Sequence, residues 1–223
     1  MSTAQAQPDF TTILRERHSV RHFDPSFRLG EAEIAELAEL AGSAPSSWNL
    51  QHWKFLVFSD ASAKEKLLPI ANGQRQVVEA SVTIAVLGDL EANRNAEAAY
   101  RPVIQAGAED AYAGYSSHAA LFAQIEEAYA RDGGTYRRDE AIRNASLAAM
   151  QLMLAAQAKG LASGPMVGFD AEAFVRAFHV PPRYVPVLLV AIGKAARPAR
   201  PTSRFPAERT IVWNGFEPDS SMT

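Results

Sequence analysis

Cysteine is absent from all 223 residues. That removes disulfides, thiol nucleophiles, iron–sulfur clusters and thiolate zinc sites from consideration. An excess of one charge is absent too. The 22 basic and 25 acidic residues leave a net charge of −3, so nothing at the scale of the chain calls for nucleic acid or another polyanion. The opening MSTAQAQPDF lacks the basic flank and apolar run of a secretory signal. The most apolar helical stretch, residues 145–158, is interrupted by Ser146, Gln151 and Gln157 and is too short to span a bilayer. A cytoplasmic chain with no membrane association is expected. The five histidines, at 18, 22, 52, 118 and 179, show no H-E-x-x-H spacing, and His18 and His22 have no third ligand nearby. No metal site is expected. Gly88-Asp89 ends a strand, but no G-x-G-x-x-G follows, and no G-x-x-x-x-G-K-[ST] loop occurs. GLASG places its serine one position too late for a nucleophile elbow. Hydrolase and nucleoside-triphosphate chemistry therefore lack a sequence basis.

Apolar residues are plentiful. At 48% of the chain they are enough for a well-buried core. Phe10, Ile13 and Leu14 share a helical face that runs into Arg17-His18-Ser19. Ile34, Leu37, Ala38 and Ala41 recur at helical spacing over residues 31–41, and Gly42 and Pro45 stop that helix. KFLVF reads as a strand, while VTIAVLGD and VPVLLVAIG read as strands buried on both faces. Between them residues 91–131 are Ala- and Glu-rich, with a break expected at AGAEDAYAGY. Residues 139–159 form a helix apolar nearly all round, suited to the interior or to a partner subunit. Asp170 caps one more helix, stopped by Pro181-Pro182. The Pro- and Arg-rich tail after Gly193 should run extended over a surface. No repeat or linker divides the chain. A single domain over 1–223 is expected, with a helical excursion at about 91–138 and a C-terminal extension from about 194. Helices and strands do not alternate strictly, so the class is α+β.

Two stretches carry chemistry. Arg17-His18-Ser19-Val20-Arg21 joins two guanidinium groups and a hydroxyl at a helix end. It serves either as a solvated basic turn paired with Glu16 and Asp24, or as a phosphate clamp built on the planar donor fork of arginine. In SAPSSWNLQHWKFLVF, Ser46, Ser47, Asn49 and Gln51 crowd a bend that Gly42, Pro45 and Asn49 alone would make. Amide side chains both donate and accept, so they suit a ring with alternating polar edges.

These stretches resemble the flavin-dependent nitroreductase family, and so do ANGQRQVVEAS, RDEAIRNASLAAMQLMLAAQAKGL, GPMVGFD and TSRFP. The six occur in order from about Phe10 to Ile211. NLQH, ANGQ, RDEAIRNAS and PMVGFDAEA look most like a bacterial subgroup associated with quinone stress. The resemblance implies a central mixed β-sheet flanked by helices. It also implies an intertwined homodimer with an extended C-terminal tail and FMN at the subunit interface. By position, Arg17, Ser19 and Arg204 would contact the phosphate and ribityl end, with His18 between them. Arg21 would lie near the N1–O2 edge of the flavin, where a cation stabilises the charge of the reduced ring. Pro45, Ser46, Ser47, Asn49 and Gln51 match the loop approaching the ribityl chain and ring, with Ser47 and Asn49 coming from the partner. Gln74 and Gln76 match the pyrimidine-edge contacts, and Pro165, Met166, Val167 and Gly168 the segment beside N5. Two positions depart from the family pattern: Val167 stands where several members carry glutamate, and Thr202 where a basic residue is usual. The implied activity is NAD(P)H-dependent reduction of nitroaromatics or quinones, a small-molecule acceptor, by ping-pong hydride transfer. The flavin would supply the chemistry, so no acid–base dyad is needed. The same fold also hosts enoate reduction and reductive dehalogenation, and a non-catalytic flavin-binding redox sensor is the alternative of a different class.

Overall fold

A computed structural model describes residues 9–107 and 116–216. Helix α1 (Phe10–Glu16) is capped by Asp9, whose carboxylate accepts the Thr11 and Thr12 N–H groups. Helix α2 (Glu31–Gly42) starts at Gly30, whose N–H donates to Glu33 at 2.8 Å. Strand β1 (Trp53–Phe58), helices α3 (Ala61–Ile70) and α4 (Gln76–Glu79), and strand β2 (Val82–Asp89) follow. Then come α5 (Ala96–Gln105), α6 (His118–Tyr129), α7 (Thr135–Ala158), β3 (Ala162–Met166), α8 (Ala171–Phe178), β4 (Tyr184–Gly193) and the single turn α9 (Ala207–Thr210). Most of the break expected at AGAEDAYAGY lies outside the described residues, as do residues 217–223 of the tail. Among the described residues no helix is long and apolar enough to cross a membrane.

The sheet order is β1-β2-β4-β3. Every strand pairing in it is antiparallel. The mixed sheet expected from the family resemblance is therefore not what the four strands make. Among the described residues, parallel pairing occurs at one isolated bridge, Ser19 to Ser163. Strand β2 is buried along its whole length because its alternating residues feed two cores. Ala85 and Leu87 pack with Leu67, Val77 and Phe174 of α3, α4 and α8. Val82, Ile84 and Val86 pack with Ile34 and Leu37 of α2 and with Ala149 and Leu152 of α7. The result is helices on both faces of one sheet. The first half of β4 is only half-buried, less than its continuous apolar run suggests.

Helix α7 lies close over β2: a Cβ at Gly88 would stand 2.8 Å from the Ala141 carbonyl oxygen. Its start at Thr135, four residues before the expected one, follows from Gly133 and Gly134, which turn the chain at φ of 54° and 106°. A third apolar cluster joins Ala92, Ala96, Leu121, Ile125 and Tyr129 to Leu50. Thus the helical excursion anchors the polar bend that precedes β1.

Candidate functional site

Past α1 the backbone straightens at Arg17 (φ −66°, ψ 113°). Ser19 then bridges to Ser163, and the Val20 N–H donates to the Ser163 carbonyl at 2.9 Å. This approach requires Gly164, because an added Cβ would stand 2.3 Å from the Val20 carbonyl oxygen. Val20 and Phe23 are buried and pin the segment to the core. Beside buried Val20, Ser19 and Arg21 are exposed and Arg17 is half-buried. Ser163 of β3 lies opposite Ser19 in that bridge, and Pro165 is exposed two residues along the strand.

The electrostatics of this segment are unusual. Burial, and then the charge of Arg204, push the Arg17 guanidinium below its ordinary pKa. Two cations thus stand close, and among the described residues neither forms an ion pair with a carboxylate. Arg204 is steadied by the Thr202 hydroxyl at 2.8 Å and the Ser203 carbonyl at 2.9 Å. Thr202 therefore orients the remaining arginine in place of adding a second charge. Among the described residues, buried Arg17 Nη1, His18 Nδ1 and Ser163 Oγ find no hydrogen-bond partner. Buried polar groups are almost always satisfied, so three orphans beside an unneutralised arginine pair fit an oxyanion ligand. A phosphate monoester meets that demand.

Further along the same edge, the Gly168 carbonyl accepts from Gln74 Nε2 at 3.0 Å and from Asn72 Nδ2 at 2.9 Å. Gln76 Nε2 in turn donates to Gln74 Oε1 at 3.3 Å. Val167 is 76% exposed, whereas Met166 is buried in the core. Met166 therefore offers a ligand its backbone and not its side chain. Arg17, His18, Ser19, Arg21, Gln74, Gln76, the 165–168 segment and Arg204 thus belong to one neighbourhood of the chain.

The bend at residues 45–51 lies elsewhere. The Ser47 N–H donates to Asn144 Oδ1 at 2.9 Å, and its hydroxyl donates to Glu140 Oε2 at 2.5 Å. Ser46 Oγ accepts the Gln51 N–H at 3.0 Å, and the Gln51 side chain donates to the Asn49 carbonyl. Pro45 and Asn49 are exposed. Trp48, Asn49 and Gln51 all hold positive φ, at 48°, 52° and 51°. Such conformations are costly without glycine and concentrate at ligand sites. The bend docks near Glu140 and Asn144, while Ile13 of α1 lines a groove with Ala155 and Ala158. At 1.5 Å per residue, the helix separates Asn144 from Ala158 by about 21 Å. Within one chain the Arg17–Ser19 segment, bridged to Ser163 just beyond the C-terminal end of α7, and the bend, held at Glu140 and Asn144, sit toward opposite ends of that helix.

The model of the Nitroreductase family matches residues 14–194. The chain belongs to the nitroreductase family. The candidate NAD(P)H nitroreductase YodC of Bacillus subtilis (strain 168) is 43% identical over 201 residues, 90% of this chain and 96% of YodC. A candidate nitroreductase of Exiguobacterium sibiricum 255-15, solved in complex with FMN, is 32% identical with a TM-score of 0.85. It covers 95% of this chain and 100% of its own. A candidate NAD(P)H:FMN oxidoreductase of Staphylococcus epidermidis ATCC 12228 is 32% identical with a TM-score of 0.86, covering 96% and 99%.

Several residues that shape this candidate site are not apparent from the sequence. Ser163 and Asn72 show no pattern of their own, since their roles depend on strand pairing and on a turn. Glu140 and Asn144 do leave a signal: two polar residues at i and i+4 stand on the otherwise apolar side of α7.

Proposed function

We propose that this nitroreductase-family chain is an NAD(P)H-dependent FMN oxidoreductase that reduces nitroaromatics or quinones. One observation carries the reading: the half-buried Arg17, close to Arg204 and without an ion-pair carboxylate among the described residues, has its buried Nη1, and with it His18 Nδ1 and the paired Ser163 Oγ, without hydrogen-bond partners among those residues. Arg17 and Arg204 would hold the FMN phosphate, with Ser19 and His18 at the ribityl end. Arg21 would stabilise negative charge on the ring, and Gln74, Gln76 and the 165–168 backbone would orient it. When bound, the flavin supplies hydride and electron transfer, so the protein needs no nucleophile of its own. The exposed Val167 leaves that rim apolar and uncharged, suiting electron-poor rings above an open ligand face.

The Pro45, Ser46, Ser47, Asn49 and Gln51 bend would reach the flavin from a second copy of the chain. This is supported by the separation along α7 and by an apolar face of Phe10, Leu14, Leu40, Leu147 and Met150 left open on α1, α2 and α7. Tail residues Ile211, Val212 and Trp213 are also exposed. β1 is a sheet edge, flanked by a groove lined with Ile34, Ala38, Trp53, Phe55 and Val57. An intertwined homodimer uses all three features. A cytoplasmic single domain completes the proposal.

The test is purification followed by steady-state kinetics with NADH and NADPH against quinones, nitroarenes and enones. The protein should be yellow, release FMN and not FAD on denaturation, and give parallel double-reciprocal lines. Colourless protein that cannot be reconstituted with FMN overturns the proposal. Flavin binding without turnover marks a redox sensor, and turnover confined to enones marks enoate reduction.

A further inference from the structure

We propose that Glu140 and Asn144 are positioning residues for the cofactor, clamping Ser47 so that the 46–51 bend keeps the strained shape it presents to the flavin. The inference rests on the functional reading above and adds two residues to it. Both side chains are buried, at 5% and 2% exposure, on the first turns of α7. Ser47 is gripped twice: its N–H donates to Asn144 Oδ1 and its hydroxyl to Glu140 Oε2. The clamp is closed on itself, because Asn144 Nδ2 donates to Glu140 Oε2 at 3.0 Å and to the Glu140 carbonyl at 2.8 Å. Arg143 pairs with the other carboxylate oxygen. The buried charge is thus satisfied on both oxygens, as its burial requires.

Such an investment in one serine has a reason immediately downstream. Trp48, Asn49 and Gln51 hold positive φ, and non-glycine residues stay there only when their surroundings over-determine them. The far end of the bend is tied by Asn95, which donates to the Leu50 carbonyl at 2.9 Å, and by the buried Leu50 side chain. The near end is tied through Ser47 to α7, a long helix packed on the sheet, which is the kind of rigid element a binding loop needs behind it. Releasing Ser47 frees the strained residues to relax, and FMN must then pay the ordering cost itself on binding.

The experiment compares FMN dissociation constants of wild type, Glu140→Ala, Glu140→Gln and Asn144→Ala, with melting temperature and amide exchange of the apo-proteins alongside. Asn144→Ala and Glu140→Ala should weaken FMN about tenfold or more and speed exchange in residues 47–51, while the sheet amides keep their protection. Glu140→Gln keeps an acceptor for the Ser47 hydroxyl and should recover most of the affinity. If Glu140→Ala does not fold, Asn144→Ala decides. Wild-type protein that binds no FMN overturns the functional reading and the clamp together. Wild-type binding with undiminished affinity in Asn144→Ala overturns the clamp alone, and so does weakened affinity accompanied by uniformly faster exchange.

Discussion

At the residue scale the proposed phosphate contacts rest on two side chains. Arg17 is desolvated and faces the like charge of Arg204, an arrangement that costs free energy until an anion arrives. Arg17→Ala and Arg204→Ala should each remove charge-assisted contacts worth roughly 1.5–3 kcal/mol. FMN affinity measured by fluorescence titration should fall by about tenfold or more, with turnover at saturating FMN falling less. Unchanged affinity in both variants would put the phosphate elsewhere. His52 gives a pH signature of a different kind. It is fully buried with Nε2 2.5 Å from the Tyr129 hydroxyl, and burial pushes its pKa down to about 4 against weaker upward pulls from Glu140 and Asp89. An unfolded histidine titrates near ~6.5, so as pH falls the unfolded chain takes up this proton first. The stability tied to neutral His52 is present above ~6.5 and declines through the window down to about 4, by up to about 3 kcal/mol. Melting curves from pH 7 to 5, above most carboxylate titration, should slope downward in wild type and flatten in His52→Asn. Equal slopes would mean that other groups set the acid sensitivity.

The expected phosphate-binding side is assembled at the element scale by an irregular strand. β3 contains Gly164 and Pro165, lacks any apolar alternation, and survives because it is an edge strand, paired in full with β4 and met on its other side by the single Ser19 bridge. Gly164→Ala would drive a methyl into the Val20 carbonyl, so the 17–21 segment must move or the strand must shift. This single methyl should lower both melting temperature and FMN affinity. Retention of both would show that the segment can dock another way. The same strand explains what the sequence could and could not tell. α1, α2, α8, most of α7 and strands β1, β2 and β4 were legible because each carries a clean apolar period or run. β3 was not, since its pairing partners lie far away in sequence. α3 was also missed: Lys64 points inward at 4% exposure to cap the Ala80 carbonyl at 2.8 Å, and Pro69 sits in its last turn. Both disguise the helical pattern. Within the site, the arginines and the Ser46–Asn49 bend were readable by residue type. That the Ser47 hydroxyl donates to Glu140 was not readable, because the contact exists only once α7 has docked.

For the whole molecule, the open question is what covers its exposed apolar surface. Phe10, Leu14, Leu40, Leu147 and Met150 form one open face, and Phe205, Ile211, Val212, Trp213 and Phe216 lie exposed along the tail. That is a large apolar area for a soluble monomer to leave wet. The Arg17–Ser19 segment and the strained bend are separated along α7, in keeping with the proposal that one flavin draws on residues of two copies. A ligand held only by the dimer must stabilise the dimer by mass action, by about 2.7 kcal/mol at a free concentration one hundred times its Kd. FMN should therefore raise the melting temperature and lower the protein concentration at which the dimer dissociates. A chain ending at Arg204 keeps the arginine proposed to hold the phosphate and loses the apolar tail. It should dissociate at higher concentration than the full chain and bind FMN more weakly for that reason alone, with the deficit shrinking as protein concentration rises. Sedimentation velocity across a dilution series, with and without FMN and for both chain lengths, measures each of these shifts. A monomer that holds FMN tightly at every dilution would show that one chain completes the site, with the 46–51 bend reserved for some other contact.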